Sequence, residues 1–138
     1  MEKDAEKEVR KKYIELQLME QQMKQLQENA KVLDSQLAEL IGVIQSLEDF
    51  KSVENKTRLW VPISNGIFTK AELIDNRELM VNVGADVVVK KSAEETKSLI
   101  AGQMDEIKKV QQKVVEELQR IAVKAMGIEK ELNKLLSE

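Results

Sequence analysis

The residue types that usually carry chemistry are scarce in this 138-residue sequence. There is no His and no Cys. The commonest acid–base group, the thiolate nucleophile, the disulfide and the His/Cys metal set are therefore all missing. No Gly-rich phosphate loop and no Ser/His/Asp set takes their place. The acidic pairs Glu94-Glu95 and Glu116-Glu117 are adjacent in sequence, and adjacent residues point in different directions on a helix. Arg10-Lys11-Lys12 and Lys108-Lys109 lie among acidic neighbours, so they read as solvated helix faces in the same way. The expectation is no catalytic residue, no metal, no cofactor and no enzymatic activity.

What remains is reversible burial of apolar surface. In the heptad frame described below, positions b, c and f should face water, and most hold Gln, Lys, Glu, Asp or Ser. Ile14 (f), Leu18 (c), Val123 (f) and Met126 (b) do not, and Val32 and Ala38 are further outward exceptions of this kind. Scattered exposed apolar residues are ordinary on any surface. Clustered toward one end of a stalk, with Met as the pliable member, they suit partners that lack a fixed shape.

The elements that must position these residues follow from composition and periodicity. Charged residues make up 34% of the chain and aromatics only 3%, and the apolar residues recur at helical spacing, a coiled-coil composition. Basic and acidic residues nearly balance, 22 against 25, with signs interleaved instead of gathered into a basic stripe, so nucleic acid is not the expected partner. No run approaches the roughly 18 apolar residues of a membrane span. A cytoplasmic location with no membrane contact is expected.

From Leu16 the seam runs Leu16, Met19, Met23, Leu26, Ala30, Leu33, Leu37, Leu40, Ile44, Leu47. Going backward, Val9 fits and Lys12 does not, with Tyr13 beside it as a substitute. A helix from about Ala5 to Ser52 is roughly 70 Å long. Ser92-Ala93-Glu94-Glu95 has the form of a capping box that opens a second helix. Its seam is Ile100, Met104, Ile107, Gln111, Val114, Leu118, Ile121, Ala125, Ile128, Leu132, Leu135, with Gln111 the polar exception. Similar seam lengths imply antiparallel packing within the chain. Pairing numbers that add to 147 or 148 sets Leu47 against Ile100, Ala30 against Leu118, Ala125 against Met23 and Gln111 against Leu37. Gly42 and Gly102 either permit close backbone approach or are tolerated defects, and Gly127 could loosen the open end.

Between the helices, Arg58 to Lys91 reads as four short strands. RLWVPIS and IFTKAELI flank Asn65-Gly66, and ELMVNV and VVVKK flank Gly84-Ala85-Asp86. Asn-Gly predicts a type I′ turn with positive φ at both central residues. Pro62 demands an edge or a bulge. Leu79, Val81 and Val83 share one face with Val87 and Val89. Four short strands with open edges invite strands from another chain. The expected assembly residues are Leu59, Trp60, Val61, Ile63, Ile67, Phe68, Leu79, Val81, Val83, Val87 and Val89.

The segments LWVPISNGIFTKAE (Leu59 to Glu72) and VNVGADVVVKKSAE (Val81 to Glu94) resemble the α-type subunits of the prefoldin family. The shared features are Val-Pro, a small turn, a Phe-x-Lys-Ala strand, then Val-Gly, a small turn and a strand running into a Lys-Ser helix start. The resemblance implies an α+β, mainly α fold: a long antiparallel two-helix coiled coil joined by two β-hairpins that assemble with other subunits into a β-barrel platform. It implies one prefoldin-like domain over 1–138, with helix 1–54, hairpins 55–91 and helix 92–138. It further implies an ATP-independent holdase in a hexamer of two α-type and four β-type subunits. Such a complex includes another copy of this chain, grasps unfolded client proteins at its arm tips (here Ile14, Leu18, Val123 and Met126) and passes them to a group II chaperonin. The alternative is a filament-forming or scaffolding prefoldin-like protein without client transfer.

Overall fold

The heptad spacing is realised as two long helices. In the computed structural model, which describes residues 2–137, the order is α1 (Glu2–Lys51), β1 (Arg58–Ser64), β2 (Ile67–Glu72), β3 (Leu79–Gly84), β4 (Val87–Lys91) and α2 (Ala93–Leu136). The 50 residues of α1 make about 75 Å of helix. Every expected seam residue from Leu16 to Leu47 and from Ile100 to Leu135 is buried or half-buried, whereas the b, c and f positions between Leu16 and Leu47 are all exposed. Among the described residues, full burial of apolar side chains is confined to Ala93, Ile100, Val114, Ile121 and Leu132, all on α2. Two helices cover each other on one side only, so a half-buried Leu gains about 1 kcal/mol, roughly half of what a closed core gives it.

Two compact units divide the chain, residues 2–36 with 106–137, and Leu37–Asp105. In the first, Lys12 pairs with Glu131 and the Gln111 amide donates to Asp34 Oδ1 at 2.6 Å. In the second, Lys51 pairs with Glu94 and Lys97 with Glu48. These contacts establish the antiparallel order within each unit and correct the expected register. The paired numbers add to 143 in one case and 145 in the other three, not to 147 or 148. A constant total of about 144 sets each a residue level with a d residue: Leu33 with Gln111, Ala30 with Val114 and Met19 with Ala125 in the first unit, Ile44 with Ile100 in the second. The physical reason is spacing. When one helix is reversed, a three-residue step on one side lies against a three-residue step on the other only if a faces d; matching a with a sets threes against fours.

Two local expectations also change. Lys12 itself occupies the seam, with its side chain only 17% exposed and its ammonium turned out to Glu131, the behaviour of a long amphipathic side chain. Tyr13 stays exposed and does not substitute for it. At Gly42, Gly102 and Gly127 an added Cβ would meet nothing within 4 Å, which removes the close-approach reading within this chain.

The helix ends are specified locally. The Ser92 amide donates to Glu95 Oε1 at 3.2 Å and the Glu95 amide donates to Ser92 Oγ at 3.0 Å, the reciprocal capping box expected at the start of α2. The Ser92 amide, and after it the Ser92 side chain, hold the Glu95 carboxyl below its ordinary range. After α1, the Ser52 hydroxyl donates to the Asp49 carbonyl at 2.7 Å and the chain turns through Lys56 at φ 71°.

The two hairpins are separate two-stranded antiparallel sheets, β1 with β2 and β3 with β4. The type I′ turn expected at Asn65-Gly66 is not formed there. At Asn65-Gly66 only Gly66 has positive φ, 76°, and the pairing skips Ile63 between Pro62↔Phe68 and Ser64↔Ile67. This is a bulged turn with glycine in the left-handed position. Pro62, for which an edge or a bulge was expected, has both: β1 pairs on one side only, and the bulge beside it at Ile63 absorbs the residue that a two-residue type I′ loop would have kept in register. The loop with positive φ at both central residues is Ala85-Asp86, at 49° and 61°, closed by Gly84↔Val87.

Candidate functional site

Two surfaces are built by these elements, one on the helices of the first unit and one on the hairpins. On α1, Ile14 and Leu18 are four residues apart and share a face. On α2, Val123 and Met126 are three apart and do the same. All four are more than half exposed, Val123 the most at 69%. The structure brings each pair together on its own helix. Heptad position separates the pairs: f and c lie toward the flank beside g, f and b toward the flank beside e, and antiparallel helices match like flanks. The pairs thus form a partial collar around the two helices instead of one patch. Besides Val32 at a c position, the further exposed large apolar residues on the helices are Tyr13, Ile41, Val43, Val110, Val115 and Leu136, all at e or g positions. Inspection of b, c and f misses them; a count of apolar e and g positions would have found them.

On the hairpins, alternation and pairing define two faces each. In the first, Trp60↔Lys70 and Pro62↔Phe68 place Trp60 and Phe68 on one face. The Lys70 ammonium lies 5.6 Å from the Trp60 ring centroid, a cation–π contact that covers part of the ring. Leu59 and Ala71 share the opposite face and are half-buried. In the second, Leu79, Val81, Val89 and Lys91 form the half-buried face, and Met80 and Val88 lie on the other, exposed. The skipped position at Val83 takes that residue out of the shared face expected for it, and both Val83 and Val87 are exposed.

Of the expected assembly residues, Trp60, Val61, Ile63, Ile67, Phe68, Val83 and Val87 are exposed, whereas Leu59, Leu79, Val81 and Val89 are already half-buried within the chain. Met80, Val88 and Ile74 are exposed apolar residues beyond that set. Met80 and Val88 were legible as the alternate positions of strands that are apolar on both faces, the pattern of a sheet covered on two sides. Each of the four strands bonds to a single neighbour, so each keeps one unpaired edge.

Coiled-coil arms carrying apolar hairpins with open edges define a protein that works by surface contact and assembly. The prefoldin subunit family model matches residues 19–138, and the chain belongs to the prefoldin family of chaperones, as an α-type subunit. It is 32% identical to prefoldin subunit alpha of Pyrococcus horikoshii over 120 residues, covering 83% of this chain and 81% of that one. It is 27% identical to the Methanococcus vannielii subunit alpha (92% and 85% covered) and 25% identical to that of Archaeoglobus fulgidus (93% of each). The cryo-EM structure of filamentous prefoldin from Methanocaldococcus jannaschii shares the fold with a TM-score of 0.79 at 15% identity, covering 86% of this chain and 98% of that one. Oligomeric prefoldin partners follow from this membership. Among the described residues no helix is long and apolar enough to cross a membrane.

Proposed function

We propose that this chain is the α-type subunit of an ATP-independent holdase in the cytoplasm. Two copies combine with four β-type subunits through the hairpins, and the arms hold unfolded clients and pass them to a group II chaperonin. The observation that carries this reading is the exposure of Ile14, Leu18, Val123 and Met126 on helices whose other outward positions are mostly polar. A collar around two helices suits an extended, irregular client better than a folded one, because a flexible chain can wrap both flanks. Each contact is weak, and several arms acting on one client convert weak contacts into avidity. Holding of this kind needs only reversible burial, so no catalytic residue or cofactor enters.

The test uses the assembled complex. Replacing Ile14, Leu18, Val123 and Met126 together with Ser is expected to impair suppression of aggregation of a chemically denatured client while native mass stays unchanged. Unchanged suppression overturns the assignment of these four residues. An open-ended ladder of masses in place of a discrete hexamer favours a filament-forming scaffold.

A further inference from the structure

Charges on the first unit are sorted by helix face. With paired numbers adding to about 144, residues 7–25 of α1 lie against 119–137 of α2. In these two stretches the outward b, c and f positions carry seven basic side chains, Lys7, Arg10, Lys11, Lys24, Arg120, Lys130 and Lys134, and no acidic one. All seven are exposed. The acidic residues of the same stretches, Glu8, Glu15, Glu20, Glu129 and Glu131, all sit at e or g, beside the seam. There they serve the seam lysine: Lys12 donates to Glu131, a bond that holds its ammonium above the ordinary pKa, and Glu8 and Glu15 add to the effect. The outward positions of residues 28–49 and 98–116 show the opposite balance. They carry Lys31, Lys109 and Lys113 against Glu28, Glu39, Asp49, Asp105, Glu106 and Glu116. Signs that interleave along the sequence thus separate by face, and a basic outward surface arises on one stretch of each helix.

The basic surface coincides with the apolar collar. Arg10 and Lys11 lie four and three residues before Ile14, Arg120 three before Val123, and Lys130 four after Met126, the spacings at which side chains are neighbours on a helix. Helix stability does not account for the cations. Lys7 with Lys11 and Lys130 with Lys134 are like charges four residues apart, which weakens a helix. Among the described residues Arg120 donates to Glu117, and Lys7, Arg10, Lys11 and Lys130 make no ion pair. We propose that this surface selects unfolded segments whose apolar residues are flanked by Asp or Glu. The apolar side chains bury against Ile14, Leu18, Val123 and Met126, and the carboxylates lie on Arg10, Lys11, Arg120 and Lys130. This rests on the reading of those four apolar residues as the client contact and adds the chemical class of client. Charge complementarity selects an acidic partner and speeds its approach. Shape selects a polypeptide. A flat anionic bilayer cannot meet apolar pairs that lie on both flanks, and a nucleic-acid strand would find aliphatic side chains between the cations, where base stacking calls for aromatic ones. An unfolded acidic segment uses both kinds of contact as it wraps.

Binding is measured on the complex assembled with β-type subunits, without chaperonin. The probes are three labelled, unstructured peptides that share one pattern of Leu and Val and differ only in the flanking residues: Asp, Ser or Lys. At low ionic strength the Asp peptide is expected to bind about fivefold more tightly than the Ser peptide, and the Lys peptide more weakly than either. Raising the salt to about 0.5 M should remove the difference. Arg10→Gln, Lys11→Gln, Arg120→Gln and Lys130→Gln combined should remove most of the Asp advantage, with Ser-peptide binding, native mass and circular dichroism unchanged. Equal affinity for the three peptides at low ionic strength overturns the proposal, as does an Asp advantage that the Gln variant keeps. A short single-stranded oligonucleotide, or vesicles of phosphatidylserine and phosphatidylcholine, bound more tightly than the Asp peptide also overturns it, in favour of a phosphate-bearing partner. If Ile14→Ser, Leu18→Ser, Val123→Ser and Met126→Ser combined weaken all three peptides equally while the Gln variant changes none, the client contact stands and the acidic preference falls. If neither variant changes the binding of any peptide, the client contact falls as well.

Discussion

Ala85 holds φ 49° and Asp86 φ 61°, a conformation that costs an L-residue with a plain Cβ roughly 1 kcal/mol. Asn tolerates it better, because its short polar side chain bonds locally. Ala85→Asn is therefore expected to stabilise the chain by about 0.5–1 kcal/mol in urea unfolding, with no change in assembly. Glu95 gives a prediction in pH. The Ser92 amide that donates to its carboxylate, with the Ser92 side chain second, depresses its folded pKa. A depressed carboxyl contributes stability that is complete above its unfolded pKa and is lost as pH falls through the folded value, here from about pH 5 downward. Glu95→Gln keeps the capping geometry and removes the titration. Hydrogen exchange in the first turns of α2, compared at pH 7 and pH 4 after correction for intrinsic rates, should show a smaller loss of protection in the variant than in the parent.

At the level of the elements, the glycines are separable from the seam. Gly42 and Gly127 lie in helix interiors with open space where a Cβ would go, so Gly42→Ala and Gly127→Ala should each add about 0.5–1 kcal/mol. Thermal unfolding of the single and double variants checks this, and the two gains should add. The helices themselves were legible because each seam position obeys one rule of spacing, from Leu16 to Leu47 and again from Ile100 to Leu135. The register was less so. Spacing alone excludes a match of a with a, but offsets one heptad apart satisfy it equally well, and the information that separates those lies in polar neighbours such as Asp34, Glu48, Glu94 and Glu131, whose partners on the other helix are not adjacent in sequence. Lys12 illustrates the same gap: a seam lysine looks like a break until Glu131 is seen beside it. The Asn65-Gly66 turn was misassigned for a related reason. Asn-Gly is permissive, and the bulge at Ile63 decided which left-handed geometry it took. Of the candidate surfaces, the outward residues at b, c and f could be read from the heptads, but Ile74 could not, because its exposure depends on loop bonds made by Asn55, Asn76 and Thr57.

For the molecule as a whole, the proposed function assigns holding a client and joining other subunits to different side chains and makes one depend on the other. Trp60 and Phe68 share an exposed hairpin face, and neither lies in the helical seam. Replacing both with Ser removes two large apolar contacts from the joint and should weaken assembly on the order of 100-fold or more. Helix content should be unchanged, because α1 and α2 pair through their own seam and cross-helix contacts, Lys12 with Glu131 and Gln111 with Asp34 in one unit, Lys51 with Glu94 and Lys97 with Glu48 in the other. Ile14, Leu18, Val123 and Met126 are then all still present on each free arm. If holding comes from avidity, a free arm keeps every contact residue and loses the effective concentration that the other arms supplied. The expected outcome for Trp60→Ser with Phe68→Ser is a chain of normal circular dichroism that no longer suppresses client aggregation at concentrations where the parent complex does, with partial recovery as arm concentration rises. Suppression that survives dissociation at equal arm concentration would show that a single arm suffices, and that the hairpins serve placement of the arms without strengthening their hold.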